Sequence, residues 1–259
     1  MKDVPAQMGA DSVKESFCEA ASCLEALHAQ LALWNRYGIG SGRQRVITFG
    51  FSAFLKVLSL NDKPQRSEIT KRLGPSSSSG YDFHKSLRLH ARRYLVDGEP
   101  MTDVMASAGR IVRLQERQSA TLALQRLELW RAATPGDILY FSPVVFESPR
   151  HLFKVKFEPD FGLRVRGKTT AIHLWNTKHP KLSPGATYAA LSLVAQAFET
   201  QEGAPEDVGV LSIREPPTAY LLSEVSDRST IAASIMERME EIIRGTISPP
   251  PPPEDRPTA

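Results

Sequence analysis

The stretch KFEPDFGLRVRGKTTAIHLWNTK, residues 156–178, decides how the chain is read. Side chains on a strand alternate between its two faces. Extended back to residue 153, the first arm puts Phe153, Val155, Phe157, Phe161, Leu163 and Val165 on one side. Lys154, Lys156, Glu158, Asp160, Arg164 and Arg166 fall on the other. That is the pattern of a half-buried strand with one core face and one polar face. Pro159 has no N–H for a strand ladder, so it predicts an edge, a bulge or a bend just before Asp160. On the second arm Ile172, Leu174, Asn176 and Lys178 share a face, while His173, Trp175 and Thr177 point the other way.

The turn between the arms sets which residues meet. In an antiparallel hairpin, opposed residues point to the same side. A two-residue loop at Gly167-Lys168 opposes Asp160 to Trp175 and sends Asn176 to the other face. A three-residue loop from Gly167 to Thr169 opposes Asp160 to Asn176. A bulge at Pro159 restores the shared face in either case. If Asp160, Asn176 and Lys178 converge, two oxygen donors can hold a hard cation such as magnesium. The lysine can then orient a water or steady charge building on a phosphate.

The surroundings extend the pattern. After Thr134-Pro135-Gly136-Asp137, the segments 138–147, 152–165, 169–178, 208–213 and 218–225 are rich in β-branched and aromatic residues and bounded by turn residues, which predicts strands. Residues 184–201 predict a helix with Ser183 as its cap and Pro184 in its first turn. Residues 227–245 predict a last helix ending at Gly245. With its acid, its spacing and a hydrophobic strand ending in Asn176-Thr177-Lys178, the stretch resembles the signature of the PD-(D/E)XK nuclease superfamily, and so does the order of helix, three strands, helix, strand. The resemblance covers roughly residues 126–225. It implies an α/β (α+β) fold with a mixed sheet flanked by helices, like restriction endonucleases. It also implies a magnesium site on Asp160 and the second motif position, Lys178 as the motif lysine, and a basic cleft above. The family has Asp or Glu where this chain has Asn176, which brings a carbonyl oxygen but no charge. Glu128 and Glu158 are candidates to make up the missing carboxylate. Two states follow: a magnesium-dependent phosphodiesterase with a variant site, or a domain that keeps the fold as an interaction or regulatory module.

Upstream, the sequence reads as helical. In residues 11–34 apolar side chains recur at three- and four-residue steps. Further helices are predicted over about 44–60, over 67–74 with Ser67 as cap and Gly74 as stop, over 81–98, and from about 101 to 133. In the 81–98 helix Lys85, Arg88 and Arg92 share a face with Arg93 beside them, either a phosphate-binding surface or a solvated one. Lys154 and Lys156 extend the candidate nucleic-acid contacts. A third reading is therefore a helical DNA-binding protein working through that face. The 75–80 run PSSSSG lacks the glycine spacing and lysine of a phosphate loop and reads as a connector. The expected organisation is a helical region over 1–100, an α/β core over 101–245 and a disordered proline-rich tail over 246–259.

Charge agrees with an anionic partner. The net +3 of the 259-residue chain is uneven. Residues 63–131 carry 13 basic and 7 acidic side chains, and residues 150–181 carry 8 and 2. From residue 199 onward the balance reverses, with 5 basic and 12 acidic. A basic middle suits nucleic acid, DNA first with RNA open. No apolar run is long enough to cross a bilayer, and residues 1–16 lack the apolar core of a secretory signal, which predicts a cytoplasmic protein without membrane association. Cys18 and Cys23 fit neither a zinc nor a redox spacing and read as buried thiols.

Overall fold

In the computed structural model, residues 46–73, 82–225 and 229–247 are described. The chain divides into two compact units at Arg45/Val46, and all the described residues belong to the second. The expectations for the 11–34 helix, the cysteines, the serine connector and the proline-rich tail lie outside the described residues.

Two sheets organise this unit. The larger has five strands in the order β2-β5-β6-β7-β8: β2 is Asp137–Leu139, β5 Phe161–Val165, β6 Lys168–Trp175, β7 Asp207–Ser212 and β8 Thr218–Leu221. Its neighbours are antiparallel except β6 and β7, which run parallel and are joined through a helix, as a parallel crossover requires. The smaller sheet has the order β1-β4-β3, with β1 at Ile47–Gly50, β3 at Val144–Glu147 and β4 at Phe153–Phe157. Among the described residues there are seven α-helices: α1 Phe51–Leu58, α2 Asp62–Leu73, α3 Lys85–Leu95, α4 Met101–Ala108, α5 Leu114–Ala133, α6 Pro184–Phe198 and α7 Ser229–Ile247. The fold is α+β, with mixed sheets flanked by helices.

β6 is the partition between two cores. Ala171 and Trp175 face a core shared with the small sheet, α1, α6 and α7. Ile172 and Leu174 face a second core, made with α3, α4 and α5. The strand is buried on both sides from Thr170 to Trp175. A strand covered on both faces reads as a near-continuous apolar run, which is what residues 170–175 are.

Several local expectations need correcting. Residues 153–165 are not one strand. Pro159 ends the ladder, so β4 belongs to the small sheet and β5 to the large one. The segment expected as a helix over 44–60 begins as β1, because β4 offers it a parallel partner from Ile47↔Phe153 to Gly50↔Lys156. The helix starts only at Phe51, where Phe51, Phe54, Leu55 and Val57 form a buried stripe. The 67–74 helix starts earlier, at Asp62, and Ser67 lies inside it. The helical stretch over 101–133 forms two helices, α4 and α5, separated between Ala108 and Leu114. Residues 138–147 form two strands, not one. Ser183 occupies the N-cap position of α6 but its side chain makes no cap bond. Gly245 does not end α7, which runs on to Ile247.

Candidate functional site

The hairpin turn lies one residue before either expected loop. β5 and β6 pair from Val165↔Lys168 to Phe161↔Ile172, so the loop is Arg166-Gly167. Both residues have positive φ, 51° and 84°. This is the backbone of the two-residue turn whose twist matches the strands it joins. One step beyond the register, the residue opposite Asp160 is His173, and the Asp160 N–H donates to the Ile172 carbonyl at 2.9 Å.

Asp160 and His173 therefore share a face, and Asn176 falls on the other. The Asn176 side-chain amide donates to Ser119 Oγ of α5 at 3.1 Å, and the residue is buried. Lys178 is exposed, beyond the end of β6. Glu128 is exposed on α5, near Tyr94, whose hydroxyl titrates high through burial first and the Glu128 charge second. Glu158 pairs with Lys156 at 2.8 Å. The three motif residues and the two candidate acids are thus not brought to one point.

What surrounds Asp160 is different. Its Oδ2 accepts the Leu174 N–H at 2.7 Å, and Arg88 Nε lies 3.9 Å from Oδ1. His173 Nδ1 is 3.1 Å from Oδ2, close but off the axis of a hydrogen bond. The other ring nitrogen, Nε2, is 2.6 Å from Ser52 Oγ. Phe51 and Phe157 pack against the imidazole, with ring centroids at 5.4 and 6.1 Å. Both the Asp160 and His173 side chains are about one-twentieth exposed.

These residues floor a cleft of about 790 Å³. Its walls come from the start of α1, from α2, from the entry and one side of α3 as far as Val96, from the Glu158–Asp160 bend and from residues 177 and 179. Six cations line it: Lys56, Arg72, Lys85, Arg88, Arg92 and Lys156. Several are partnered within the cleft. Arg88 pairs with Asp82, Lys56 and Arg72 with Glu68 at 3.4 and 3.1 Å, and Arg92 lies over the Tyr140 ring at 6.0 Å. Burial raises the Glu68 carboxyl, and the Lys56 and Arg72 charges more than offset this and hold it below its ordinary value. His84, also in the wall, is held below its ordinary value by burial first; Asp82 opposes this and Arg88 adds to it. Outside the lining, Arg93 pairs with Glu99 at 2.5 Å and Lys154 with Glu147 at 2.5 Å. Lys85, Arg88 and Arg92, expected to share a face of α3, all line the cleft, while Arg93 beside them pairs with Glu99.

The donors do not suit magnesium. Asp160 Oδ2 accepts a backbone N–H, and the carboxylate faces the Arg88 guanidinium and the His173 ring, so it is already committed to cationic and N–H partners. Among the described residues, no group of three or more His, Cys, Asp or Glu side chains could hold a metal ion.

Ser52 and His173 are the residues that sequence reasoning missed. Ser52 was hidden inside an expected helix. With β1 known, residues 47–54 read as strand, Gly50, then helix, and that transition exposes a serine at a helix start. His173 was placed only on the face opposite Asn176, and its contact with Asp160 depends on a loop one residue away from the two expected.

No protein-family model matches the chain, and no curated protein matches it. A solved structure described as "Crystal structure of SSO0001" aligns over 87% of this chain and 85% of its own at 14% identity, with a TM-score of 0.35, too low to carry an argument. Among the described residues, no helix is long and apolar enough to cross a membrane.

Proposed function

We propose that this chain is a cytoplasmic nucleic-acid-binding protein on a PD-(D/E)XK-like core, and that it holds a phosphate backbone in its cleft without magnesium-dependent cutting. The observation that supports this is the convergence of Lys56, Arg72, Lys85, Arg88, Arg92 and Lys156 on one concave surface. Four carboxylates line it too, Glu68, Asp82, Glu158 and Asp160, so the lining carries a formal excess of two positive charges (six minus four). Phosphate oxygens would compete for arginines already oriented by Asp82 and by Tyr140. Asp160 already accepts the Leu174 N–H and faces the Arg88 guanidinium, whose positive charge opposes a cation there, which supports binding over cutting.

Fluorescence anisotropy with labelled single-stranded DNA, duplex DNA and RNA tests the reading. Binding should weaken as salt rises, with a slope of about 0.7–0.9 per phosphate contacted. Lys85→Ala/Arg92→Ala should lower affinity by roughly tenfold or more and flatten that slope. No binding at low salt, or binding indifferent to the double substitution, overturns it. Magnesium-dependent cleavage lost in Asp160→Ala and Lys178→Ala would instead restore the nuclease reading.

A further inference from the structure

We propose that Ser52 is an activated nucleophile, with His173 as its general base and Asp160 as the positioning residue, and that it cleaves carboxylic esters bearing a negative charge. The geometry behind this is independent of nucleic-acid binding. Ser52 Oγ lies 2.6 Å from His173 Nε2, and His173 Nδ1 faces Asp160 Oδ2 at 3.1 Å. A carboxylate beside Nδ1 favours the tautomer with its proton there, leaving Nε2 a lone pair to take the serine proton. The Nδ1 contact is not yet aligned, and relays of this kind are often loose until substrate binds.

Three further features fit. Ser52 is the second residue of α1, which follows directly on Gly50, the last residue of β1. The first N–H groups of a helix have no carbonyl partner within it, so α1 presents donors beside the nucleophile where an oxyanion would form. The chain order Ser52, Asp160, His173 is one of the orders in which such relays occur, although the strand-to-helix turn here is unstrained, with Gly50 at φ −72°. Finally, Ser52, Asp160 and His173 all line the cleft, so the hydroxyl is reachable while the imidazole and carboxylate side chains are otherwise buried.

The chemistry balances without a metal. Ser52 Oγ bonds to the ester carbonyl carbon as its proton passes to His173 Nε2. The C–O bond to the alcohol breaks, and His173 returns the proton to the departing alcohol. Water then gives its proton to His173 and attacks the acyl-serine, releasing the carboxylic acid and regenerating Ser52 with the returned proton. The cationic walls select esters that carry a carboxylate or phosphate elsewhere in the molecule.

The test is labelling with an alkyl fluorophosphonate, which forms a Ser Oγ–phosphorus bond and expels fluoride. Intact mass and peptide mapping should find one adduct, on Ser52. Ser52→Ala should give none. His173→Gln, shown folded by circular dichroism, should label roughly 100-fold more slowly or worse. p-Nitrophenyl esters with a carboxylate in the acyl chain should turn over faster than neutral ones. A folded wild-type protein with no Ser52 adduct overturns the proposal, and so does equal labelling of His173→Gln. Neither result bears on anisotropy with nucleic acid, so the two readings can fail separately.

Discussion

His84 lines the cleft with its Nε2 3.4 Å from Thr177 Oγ1, and burial depresses its affinity for a proton. The unfolded chain, with an ordinary imidazole near 6.5, then binds more protons than the native one in mildly acid solution. Stability contributed by neutral His84 is present above that ordinary value and is lost as pH falls below it, through the lowered native value. The melting temperature should therefore drop between pH 7.5 and pH 5 by more in the wild type than in His84→Gln. Equal drops would show that other groups carry the dependence. At this same scale, the candidate site was only partly legible. Asp160 stood out as a candidate because Pro159 breaks the strand before it, and the structure places it in the cleft lining. Its partner was not legible, because one residue of loop position decides whether Trp175, Asn176 or His173 stands opposite. Local composition favours glycine in any such loop but does not say which turn position it takes.

The β5–β6 hairpin turns on Arg166 and Gly167, both left-handed. A side chain in that region costs about 1–2 kcal/mol for a residue other than glycine. Gly167→Ala should therefore lower stability by about 1 kcal/mol, read as a shift in urea midpoint with an unchanged slope. Arg166→Asn should raise it slightly, since asparagine tolerates this conformation better. An unchanged midpoint for Gly167→Ala would mean that the turn has relaxed to another type. The strands after residue 137 were legible as elements because alternation and β-branched content are local signals. β1 was not. Residues 44–60 were expected to be helical, and only pairing with β4 makes Ile47–Gly50 a strand. The break at Pro159 was legible as a break, but its result, a change of sheet, is set by long-range packing.

The two cores share β6, and this makes the described unit interdependent. Trp175→Ala empties the side facing α6 and α7, and Leu174→Ala the side facing α4 and α5. Each should cost roughly 3–5 and 2–5 kcal/mol, respectively, as transfer and cavity terms add. Amide exchange should then speed up in β4 and in α5 in both variants, although these lie on opposite sides of the large sheet. Acceleration confined to one side would show that the cores open independently.

The parallel pairing of β1 with β4 has a consequence for synthesis on the ribosome. Ile47 finds its neighbour Phe153 only 106 residues later (153 minus 47). At about 5–20 residues per second, that leaves β1 unpaired for about 5–20 s. Over this interval the apolar face of α1, with Phe51, Phe54, Leu55 and Val57, has no sheet to cover it. The contact between Ser52 and His173 spans 121 positions and so forms later still. Among the described elements, a nascent chain therefore presents the apolar face of α1 before β4 exists to cover it, and the Ser52–His173 contact forms only once β6 has been made, a sequence of events that favours capture by a holding chaperone.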